Sequence, residues 1–406
     1  MTRSRLRTVG VGGAATAMLL AGALAAPAWA AEQPPAGDAV PASLVTMAPQ
    51  RILVDVSLPF GDTVRCLSVA GESGIPADAT GVVINVTAVA AASAGYVVVF
   101  PDTEGDGTTP MPTTSTVNFE TGQDVSTATF TQLGPNGDLC YATQGGPARA
   151  LLIDVSGYVT ADSGITLTAP DRLADTRTPW RGGLSEPLAP RTPTTLQVAG
   201  ILQGVPADAE SVVVNVTVAN VSSLGNLRVF GGGEVPNSSL LNLAPGVEKA
   251  NTTVVDLADD GSISLYADAD RPLDVIVDVL GYTQAGSSHV GVTPTRVIDT
   301  REDEGGPLES DTVYTLEMGA DVVPAEATAV VLNVTAIAPS ERGNLRVYPG
   351  EGEPPNASSV NYIPGRDVAN LVVVDLPEDG LISLYSDQAG AGTADVAIDL
   401  VGYITD

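Results

Sequence analysis

The chain has 406 residues, of which 48 are acidic and 18 are basic, so its formal net charge is −30 at pH 7. A surface this acidic repels nucleic acid and anionic lipid, which argues against both as partners. Only one histidine, His289, is present, so a Ser-His-Asp triad or an ordinary zinc site has few residues to draw on.

The first 30 residues have the pattern of a secretory signal peptide. Three arginines near the start precede an apolar run over about residues 9–26, and Ala28 and Ala30 place small side chains at the cleavage positions. We expect cleavage after Ala30 and an unstructured segment over residues 31–43. A membrane anchor is the alternative, but the run is short and rich in glycine. No second stretch of about 18 apolar residues follows, so we expect no transmembrane segment in the mature chain.

One 19-residue sequence recurs three times along the chain, each time around an Asn-Val-Thr tripeptide. The repeated unit also opens with an arginine-containing strand pattern, has a Pro-Ala segment before Asn-Val-Thr and closes with Asp and then Gly-Tyr. The copies are spaced far beyond the period of about 20–50 residues that is typical of solenoids. Each copy is long enough to bury its own core. We therefore predict three domains, at 44–160, 166–283 and 291–406.

Within each repeat the apolar residues alternate with a period of two. In the second copy Val212, Val214 and Val216 point one way, whereas Asn215 and Thr217 point the other way. β-Branched residues dominate and Gly, Pro and Asp-Gly mark turns, so the sequence predicts an all-β fold. Because one face of the strand is purely aliphatic, we predict three tandem β-sandwiches of about 115 residues, each with seven or eight strands. Small barrels are the alternative.

The repeated sequence is expected to form the central hairpin of each sandwich, with its turn near 93–95, 222–225 and 340–343. The linkers, at about 161–166 and 283–291, are short and contain Gly and Ser. They predict separate domains with limited freedom rather than one fused core.

The opening, middle and closing motifs together resemble a repeat module of exported actinobacterial proteins. That module opens with Arg, two hydrophobic residues and Asp-Thr-Arg, continues with Pro-Ala-Asp-Ala and Asn-Val-Thr, and closes with Asp, two hydrophobic residues and Gly-Tyr. The resemblance covers nearly the whole mature chain and implies a secreted or cell-surface accessory module. It transfers no activity to individual residues. The first repeat departs from the opening motif, because its aspartate is displaced and the second arginine is missing.

The mixed face of the strands is the predicted place for a binding site. Arg–Asp pairs in a small sandwich usually hold strands and loops together, and this is the favoured interpretation of the polar residues of the second and third repeats. The alternative is that these residues gather as a groove for a sugar or a peptide. In the first repeat Val98 stands where the other two have an arginine. The candidate residues are Asp175, Arg177, Asn215, Arg228, Asp278, Asp299, Arg301, Asn333, Arg346 and Asp399.

The first repeat holds both cysteines and an acidic loop. Cys66 and Cys140 in an exported protein predict a disulfide. Asp102, Glu104 and Asp106 alternate ahead of a glycine, like the start of a calcium loop. The bidentate acid of such a loop is absent, so an acidic loop without metal is the alternative. No other cofactor is expected.

Trp180 is the only tryptophan outside the signal peptide, and it lies in a loop with Pro and Gly. Aromatic rings give sugars a surface to stack on, so Trp180 is a candidate ligand contact. The alternative is a plug over the end of the sandwich.

These observations predict a secreted or cell-wall-associated, non-enzymatic binding or adhesion protein. Its partner would be an extracellular polysaccharide, the cell wall or a surface protein, and tandem weak sites would add avidity. A structural or self-associating spacer without a small ligand is the first alternative. The second is a polysaccharide-active hydrolase with two carboxylates, although no acid stands apart from the repeat pattern to mark a catalytic pair.

Overall fold

The computed structural model describes residues 6–9, 44–56, 63–145, 148–178, 184–201, 204–302 and 306–405. Trp180, the segment 31–43 and most of the predicted signal peptide lie outside the described residues. The described residues form strands, turns and loops without any helix. Among them there is accordingly no helix long and apolar enough to cross a membrane. The prediction of an all-β fold is confirmed.

The described residues form 26 strands, the first of which, β1, spans Leu6–Val9. Repeat 1 contains β2 (Leu44–Asp55), β3 (Arg65–Ser68), β4 (Gly81–Val89), β5 (Gly95–Pro101), β6 (Val117–Phe119), β7 (Val125–Gln132), β8 (Asp138–Gly145) and β9 (Ala150–Val159). Repeat 2 contains β10 (Ile165–Asp175), β11 (Thr194–Gln197), β12 (Ser211–Ala219), β13 (Gly225–Phe230), β14 (Leu241–Leu243), β15 (Lys249–Asp256), β16 (Ser262–Ala269) and β17 (Asp274–Thr283). Repeat 3 contains β18 (His289–Asp299), β19 (Leu308–Glu309), β20 (Thr312–Glu317), β21 (Ala327–Ile337), β22 (Gly343–Pro349), β23 (Val360–Tyr362), β24 (Val368–Asp375), β25 (Leu381–Gln388) and β26 (Thr393–Thr405).

Each repeat folds into two antiparallel sheets rather than one closed barrel. The inner sheets have the strand orders β2-β9-β4-β7, β10-β17-β12-β15 and β18-β26-β21-β24. The outer sheets have the orders β3-β8-β5-β6, β11-β16-β13-β14 and β20-β25-β22-β23. The short strand β19 adds to β26, and β1 adds to the edge of β20.

The aliphatic face of the inner sheet lines a core that each repeat encloses between its own two sheets. In repeat 2, Val212, Val214 and Val216 of β12 are buried in one cluster with Leu227 and Val229 of β13. Repeats 1 and 3 have equivalent clusters. Full burial of one such side chain stabilises the fold by about 1.5–3 kcal/mol, so the alternating pattern accounts for the two-sheet arrangement.

The predicted central hairpin is wrong, because the two strands of the repeated sequence lie in different sheets. β4 belongs to an inner sheet and β5 to an outer sheet, and the same holds for β12 with β13 and β21 with β22. A residue with positive φ follows the Asn-Val-Thr strand in each repeat, at Ala90 (45°), Asn220 (52°) and Ala338 (44°). This left-handed conformation turns the chain out of the inner sheet, and the connection arches across to the outer one.

A fourth cluster joins the inner sheets of all three repeats, so the expectation of repeats without a fused core is wrong. The alternation that fills each sandwich also leaves a second apolar set on the opposite face of the inner strands, and these residues pack together. Its members are Leu44, Val83, Ala128, Phe130, Val159, Ile165, Leu167, Val213, Val254, Leu280, Ala329, Val331, Leu371, Val373, Val401 and Ile404. The predicted bounds of the three domains stay predictions.

The repeats close into a propeller-like ring of six sheets. β7, β15 and β24 contact one another at its centre. The opening strand β10 contacts β7 of repeat 1, β18 contacts β15 of repeat 2, and β2 contacts β24 of repeat 3. The last of these contacts joins the first repeat to the third.

β1 lies within the predicted signal peptide but pairs with the free edge of β20, where Leu6 is opposite Leu316 and Val9 is opposite Val313. The signal peptide over residues 1–30 stays a prediction. Cleavage after Ala30 stays a prediction.

Candidate functional site

A row of three polar side chains crosses the inner sheet of every repeat. The opening strand supplies an arginine, the closing strand an aspartate and the Asn-Val-Thr strand its asparagine, at opposite positions of adjacent strands. The arginine Nε lies 2.8, 2.7 and 2.5 Å from the aspartate Oδ1 in repeats 1, 2 and 3. We call this set the Arg–Asp–Asn row; its members are Arg51, Asp154 and Asn85, then Arg172, Asp278 and Asn215, then Arg296, Asp399 and Asn333.

The asparagines of the rows hold neighbouring repeats together. Each asparagine Nδ2 donates a hydrogen bond of 2.6 Å to a serine carbonyl oxygen of another repeat, in the pairs Asn215–Ser115, Asn333–Ser239 and Asn85–Ser358. Arg172 also donates to Thr113 O of repeat 1 at 3.1 Å. The three bonds run in one direction around the ring, so the mixed face lies at the contacts between repeats.

The aspartates of the rows depend on their arginines. Burial raises the pKa of Asp278 and of Asp399, and the hydrogen bonds from Arg172 and Arg296 oppose this effect. Both carboxylates are almost completely buried. An unpaired buried charge is costly, so each arginine keeps an ionised aspartate compatible with the interface.

A second ion pair stands beside the row in repeats 2 and 3. Arg177 donates to Asp175 through Nε at 2.9 Å and Nη2 at 2.8 Å, and Arg301 donates to Asp299 at 2.8 and 2.6 Å. Burial acts to raise the pKa of Asp175, but the hydrogen bonds from Arg177 lower it; those from Arg301 lower the pKa of Asp299. The row's arginine reaches the same aspartate, so the Asp-Thr-Arg motif is occupied by internal contacts.

The predicted arginines of the return strand lie elsewhere. Arg228 lies on β13 of the outer sheet, where it donates to Asp268 at 3.1 Å and to Pro236 O at 2.8 Å and covers the ring of Tyr266. Arg346 makes the equivalent contacts in repeat 3. The expected grouping of these arginines with the Asn-Val-Thr asparagines is wrong, because the arched connection carries the return strand to the other sheet.

In repeat 1 a small hydrophobic cluster replaces this arginine network. Val98 occupies the arginine position and packs with Phe100, Cys140 and Ala142. Cys66 and Cys140 are paired residues of β3 and β8 and form a disulfide, which confirms the prediction.

The acidic loop of repeat 1 is closed by its own hydrogen bonds. The carboxylate of Asp102 accepts from Thr109 Oγ1 at 2.7 Å and from Gly107 N at 2.8 Å, which lowers its pKa. Asp106 accepts from the amide of Thr108. Within the part of the chain that the structure describes, these acids do not form a group of three ligands close enough to hold an ion. Calcium binding stays a prediction from spacing.

Sequence analysis did not single out the arginine of each row, namely Arg51, Arg172 and Arg296. The signal was present, because this first arginine of the opening motif recurs in all three repeats, whereas the second is missing from repeat 1.

The three repeats meet around a pocket of about 610 Å³, measured with its open mouth. We call it the axial pocket. Each repeat contributes the asparagine at the middle of its shortest outer strand, which is Asn118, Asn242 or Asn361. Each also contributes the first residue of the inner-sheet strand that lies at the centre of the ring (β7, β15 or β24), which is Val125, Lys249 or Val368.

A glycine turn positions these parts in every repeat. Gly122, Gly246 and Gly365 have φ of 78°, 74° and 69°, a conformation that glycine adopts without steric cost. The amide of each donates to a carbonyl of the arched connection at 2.7–2.8 Å. The turn is therefore fixed, and the residue after it lines the pocket, as Gln123 and Arg366 do.

Lys249 breaks the threefold likeness of the axial pocket, since the other two repeats have valine at this position. It is the only lysine of the chain. Its Nζ donates to Asp367 O of repeat 3 at 2.7 Å. Burial lowers the pKa of Lys249 to about 8, and Arg366 acts in the same direction against two nearby acids.

Several polar atoms of the pocket lack partners within the described part of the chain. Oδ1 of Asn118 and of Asn242 are buried without a hydrogen bond. Nη1 of Arg366 likewise has no hydrogen bond and lies 3.6 Å from a carboxylate oxygen of Glu120. Buried polar groups in folded proteins are nearly always satisfied, so these atoms make the axial pocket the candidate site.

No protein-family model matches the sequence, and no curated protein sequence matches it. Among solved structures, the chain is similar to one described as the triple jelly roll fold and turret assembly in an archaeal virus. The identity is 8%, the match covers 84% of this chain and 82% of that chain, and the TM-score is 0.21.

Two further structures contain modules with CBM names. The first is the CBM22-1-CBM22-2 tandem domain of Xyn10C from Paenibacillus barcinonensis, at 10% identity over 52% of this chain and 82% of that chain, with a TM-score of 0.17. The other holds the M60 catalytic domain with CBM51-1 and CBM51-2 of Clostridium perfringens ZmpB, at 10% identity over 84% of this chain and 33% of that chain, with a TM-score of 0.21. Likenesses this low carry no argument, so the function rests on the residues of this chain.

Proposed function

We propose that this chain is a secreted, non-enzymatic binding protein of the cell envelope or of an extracellular polymer, and that it takes its ligand in the axial pocket. The disulfide and the resemblance of the repeats to an exported module support the extracellular setting. In this proposal the expected weak sites of the separate repeats are replaced by one composite site, the axial pocket, which all three repeats line.

The observation that carries this proposal is the construction of the axial pocket. All three repeats contribute equivalent residues to it, and binding sites favour such concave, largely apolar places where several units meet. Lys249, held by its hydrogen bond to Asp367 O, supplies one of the few oriented polar groups that such sites use for specificity.

The non-enzymatic assignment rests on the way the acids of the repeats are used. The aspartates of the Arg–Asp–Asn rows pair with arginines of their own repeat. Asp124, which lines the axial pocket, accepts from the amide of Ala90 and pairs with Arg342. Acids held in this way are poorly placed to exchange protons with a substrate.

The test is retention of the purified protein on insoluble cell wall, chitin, cellulose and starch, with and without calcium. Lys249→Val installs the residue that the other repeats have at this position, so it should leave the fold intact. Arg271→Val removes one positive charge from an exposed surface and serves as the matched control. Retention that Lys249→Val weakens and Arg271→Val does not would support the proposal. Retention that both variants keep would place the site elsewhere, and the absence of retention would overturn a polymer-binding role.

A structural or spacer protein is the second candidate. The Arg–Asp–Asn rows favour it, because the polar residues that recur in every repeat are used between repeats. In that case Lys249→Val would raise stability without changing any binding.

A further inference from the structure

The outer sheet of repeat 3 carries an additional strand on its edge. β1 pairs antiparallel with β20, with Leu6 opposite Leu316 and Val9 opposite Val313. In the described part of repeats 1 and 2, β3 and β11 end their sheets without such a strand, and each has four residues against six in β20. In a chain cleaved after Ala30, β1 is gone, and the edge of β20 presents backbone groups that can pair with another strand.

A groove opens where this edge ends. Glu317 is the last residue of β20, and from there the chain runs along one wall of a cavity of about 440 Å³. The Pro-Ala segment that begins at Pro324 and the turn over residues 376–380 form the other walls. We call this cavity the edge groove.

The connection beside the edge groove is short and loosely tied to the turn. It has six residues between β20 and Pro324, against seven after β3 and eight after β11. In repeats 1 and 2 a second amide of this connection, at Ala70 or Ala199, donates to the glycine carbonyl of the turn at 3.0 or 2.9 Å. Among the described residues of repeat 3, Met318 N alone makes this bond, at 2.8 Å.

The charged side chains that line the edge groove are all carboxylates. The four are exposed, and they belong to Glu317, Glu326, Glu378 and Asp379. Each of the five arginines of repeat 3 pairs with an acid outside the groove. The described part of repeat 3 therefore supplies no guanidinium group to these carboxylates.

The register of β1 shows how an added strand meets the edge groove. Its N-terminal end points along β20 toward Glu317, so one further residue of such a strand would lie opposite Glu317 and the next would enter the groove. A basic side chain at either position would have carboxylates within reach. A second copy of this chain, with its net charge of −30, would bring like charges there instead.

We infer that the free edge of β20 is a docking site for an extended, basic peptide segment of a partner protein. The segment adds a strand to the outer sheet of repeat 3 through main-chain hydrogen bonds, and the edge groove selects lysine or arginine at its N-terminal end. β1 fills the edge in the uncleaved chain. The site shares no lining residue with the axial pocket, so it does not depend on the proposed function.

The test compares the full chain, in which β1 occupies the edge, with the chain that starts at Ala31. No residue of the core clusters precedes Leu44, so the shorter form should keep the three sandwiches and the ring. The probe is a fluorescent peptide with the sequence of residues 3–9, Arg-Ser-Arg-Leu-Arg-Thr-Val, followed by fluorescence anisotropy. It should bind the shorter form about tenfold more tightly. Equal affinity for both forms, or no saturable binding to the shorter one, would overturn the inference.

Two methylated peptides separate strand pairing from general attraction to an acidic protein. Both keep the three arginines, but one carries N-methyl groups on alternate amides of one strand edge and the other carries them on the opposite edge. Only the peptide methylated on the edge that faces β20 should lose binding, because its amides can no longer donate to the sheet. Equal binding of the two would overturn strand addition.

A matched pair of variants tests the edge groove. In the chain from Ala31, Glu317→Gln removes one of the four carboxylates and should weaken peptide binding about threefold, as expected for an exposed ion pair. Glu341→Gln is the control, because Glu341 is also exposed but precedes β22 and does not line the groove. The same affinity in both variants would overturn the selection of a basic residue.

Discussion

The outer sheet of repeat 1 and the outer sheets of repeats 2 and 3 perform the same structural task with different chemistry. In repeats 2 and 3 an arginine on the return strand ties an aspartate, a tyrosine ring and a loop carbonyl together. In repeat 1 the same place holds a hydrophobic cluster and a disulfide. The disulfide stands at the paired positions that hold Thr195 and Ser264 in repeat 2 and Thr315 and Ser383 in repeat 3.

The inner sheets differ from the outer sheets in this respect. All three inner sheets keep the Arg–Asp–Asn row, because each row must match the loop of a neighbouring repeat. The arginine network of an outer sheet lies within its own repeat, so these stabilising contacts can be exchanged as a set. The comparison predicts where substitutions between repeats are tolerated.

The largest effect is expected from removal of the disulfide. The double substitution Cys66→Thr and Cys140→Ser installs the pair of the other repeats without their arginine network. The disulfide links residues that are 74 positions apart and so closes a long loop in the unfolded chain. Without it, the free energy of unfolding should fall by about 4 kcal/mol on chain-entropy grounds. Urea unfolding of the variant and of the reduced wild-type protein should agree. A variant as stable as the oxidised protein would show that the hydrophobic cluster alone suffices.

The second largest effect is expected in the Arg–Asp–Asn rows, where loss of the arginine in repeat 2 can be compared with its loss in repeat 1. Arg172→Ala leaves the buried carboxylate of Asp278 without its partner and should cost about 3 kcal/mol. Arg51→Ala should cost about 1 kcal/mol, since the Arg51 side chain is 34% exposed against 12% for Arg172 and water screens its pair. Thermal and urea unfolding of both variants measure the difference. Equal losses would mean that exposure does not determine the strength of these pairs.

The third comparison concerns His289, which begins β18 where Leu44 begins β2 and Ile165 begins β10. Its side chain is buried, its two ring nitrogens have no hydrogen-bond partner among the described residues, and burial lowers its pKa to about 4. Since the ordinary pKa is about 6.5, the unfolded chain gains a proton first as the pH falls. The stability that the neutral form provides is complete above about pH 6.5 and is lost as the pH approaches 4.

His289→Leu removes this proton linkage and should lose about 2 kcal/mol less stability than wild type between pH 7.5 and pH 4.5. Urea unfolding at the two pH values gives the double difference, in which the carboxylates common to both proteins cancel. An identical loss in the two proteins would mean that His289 is not kept neutral by burial.

The smallest effect is expected in the outer sheet of repeat 3. Arg346→Met keeps the apolar stem over Tyr385 and removes the hydrogen bonds to Asp387 and Pro355 O, at a cost of about 1–2 kcal/mol. Arg191→Met is the control, because the Arg191 ion pairs are exposed and solvent-screened surface pairs add little to stability. Urea midpoints are sufficient to separate the two, and equal values would mean that Arg346 contributes no more than a surface pair.

The sequence was sufficient to predict local features of the fold. The period of two along Val212–Val218 predicted the strands and their apolar face. The expected export of the chain, together with its two cysteines, predicted the Cys66–Cys140 disulfide. It could not show which sheet each strand joins, because that depends on one residue at the strand end, such as Asn220, whose left-handed conformation is only weakly indicated by residue type.

The ring and the axial pocket lay beyond reach for a different reason. Val213 and Val331 looked like ordinary members of a mixed face, and only contacts between repeats show that they fill a common core. The sequence alone does not mark Lys249 as a site residue, because Asp367, which holds its amine, is more than 100 positions away. Sequence neighbours carry no information about such contacts.

The closure of the ring has a consequence for biogenesis. The hydrogen bond from Asn85 to Ser358 spans 273 positions of the chain. The inner sheet of the first repeat is therefore covered only after the third repeat has been synthesised. Until the third repeat has been synthesised, the first two repeats would expose Val83, Phe130 and Val213, and such exposed apolar surface promotes aggregation. The third repeat thus completes the core that the three inner sheets share. A chain that lacked it would keep this apolar surface exposed and would be prone to aggregation.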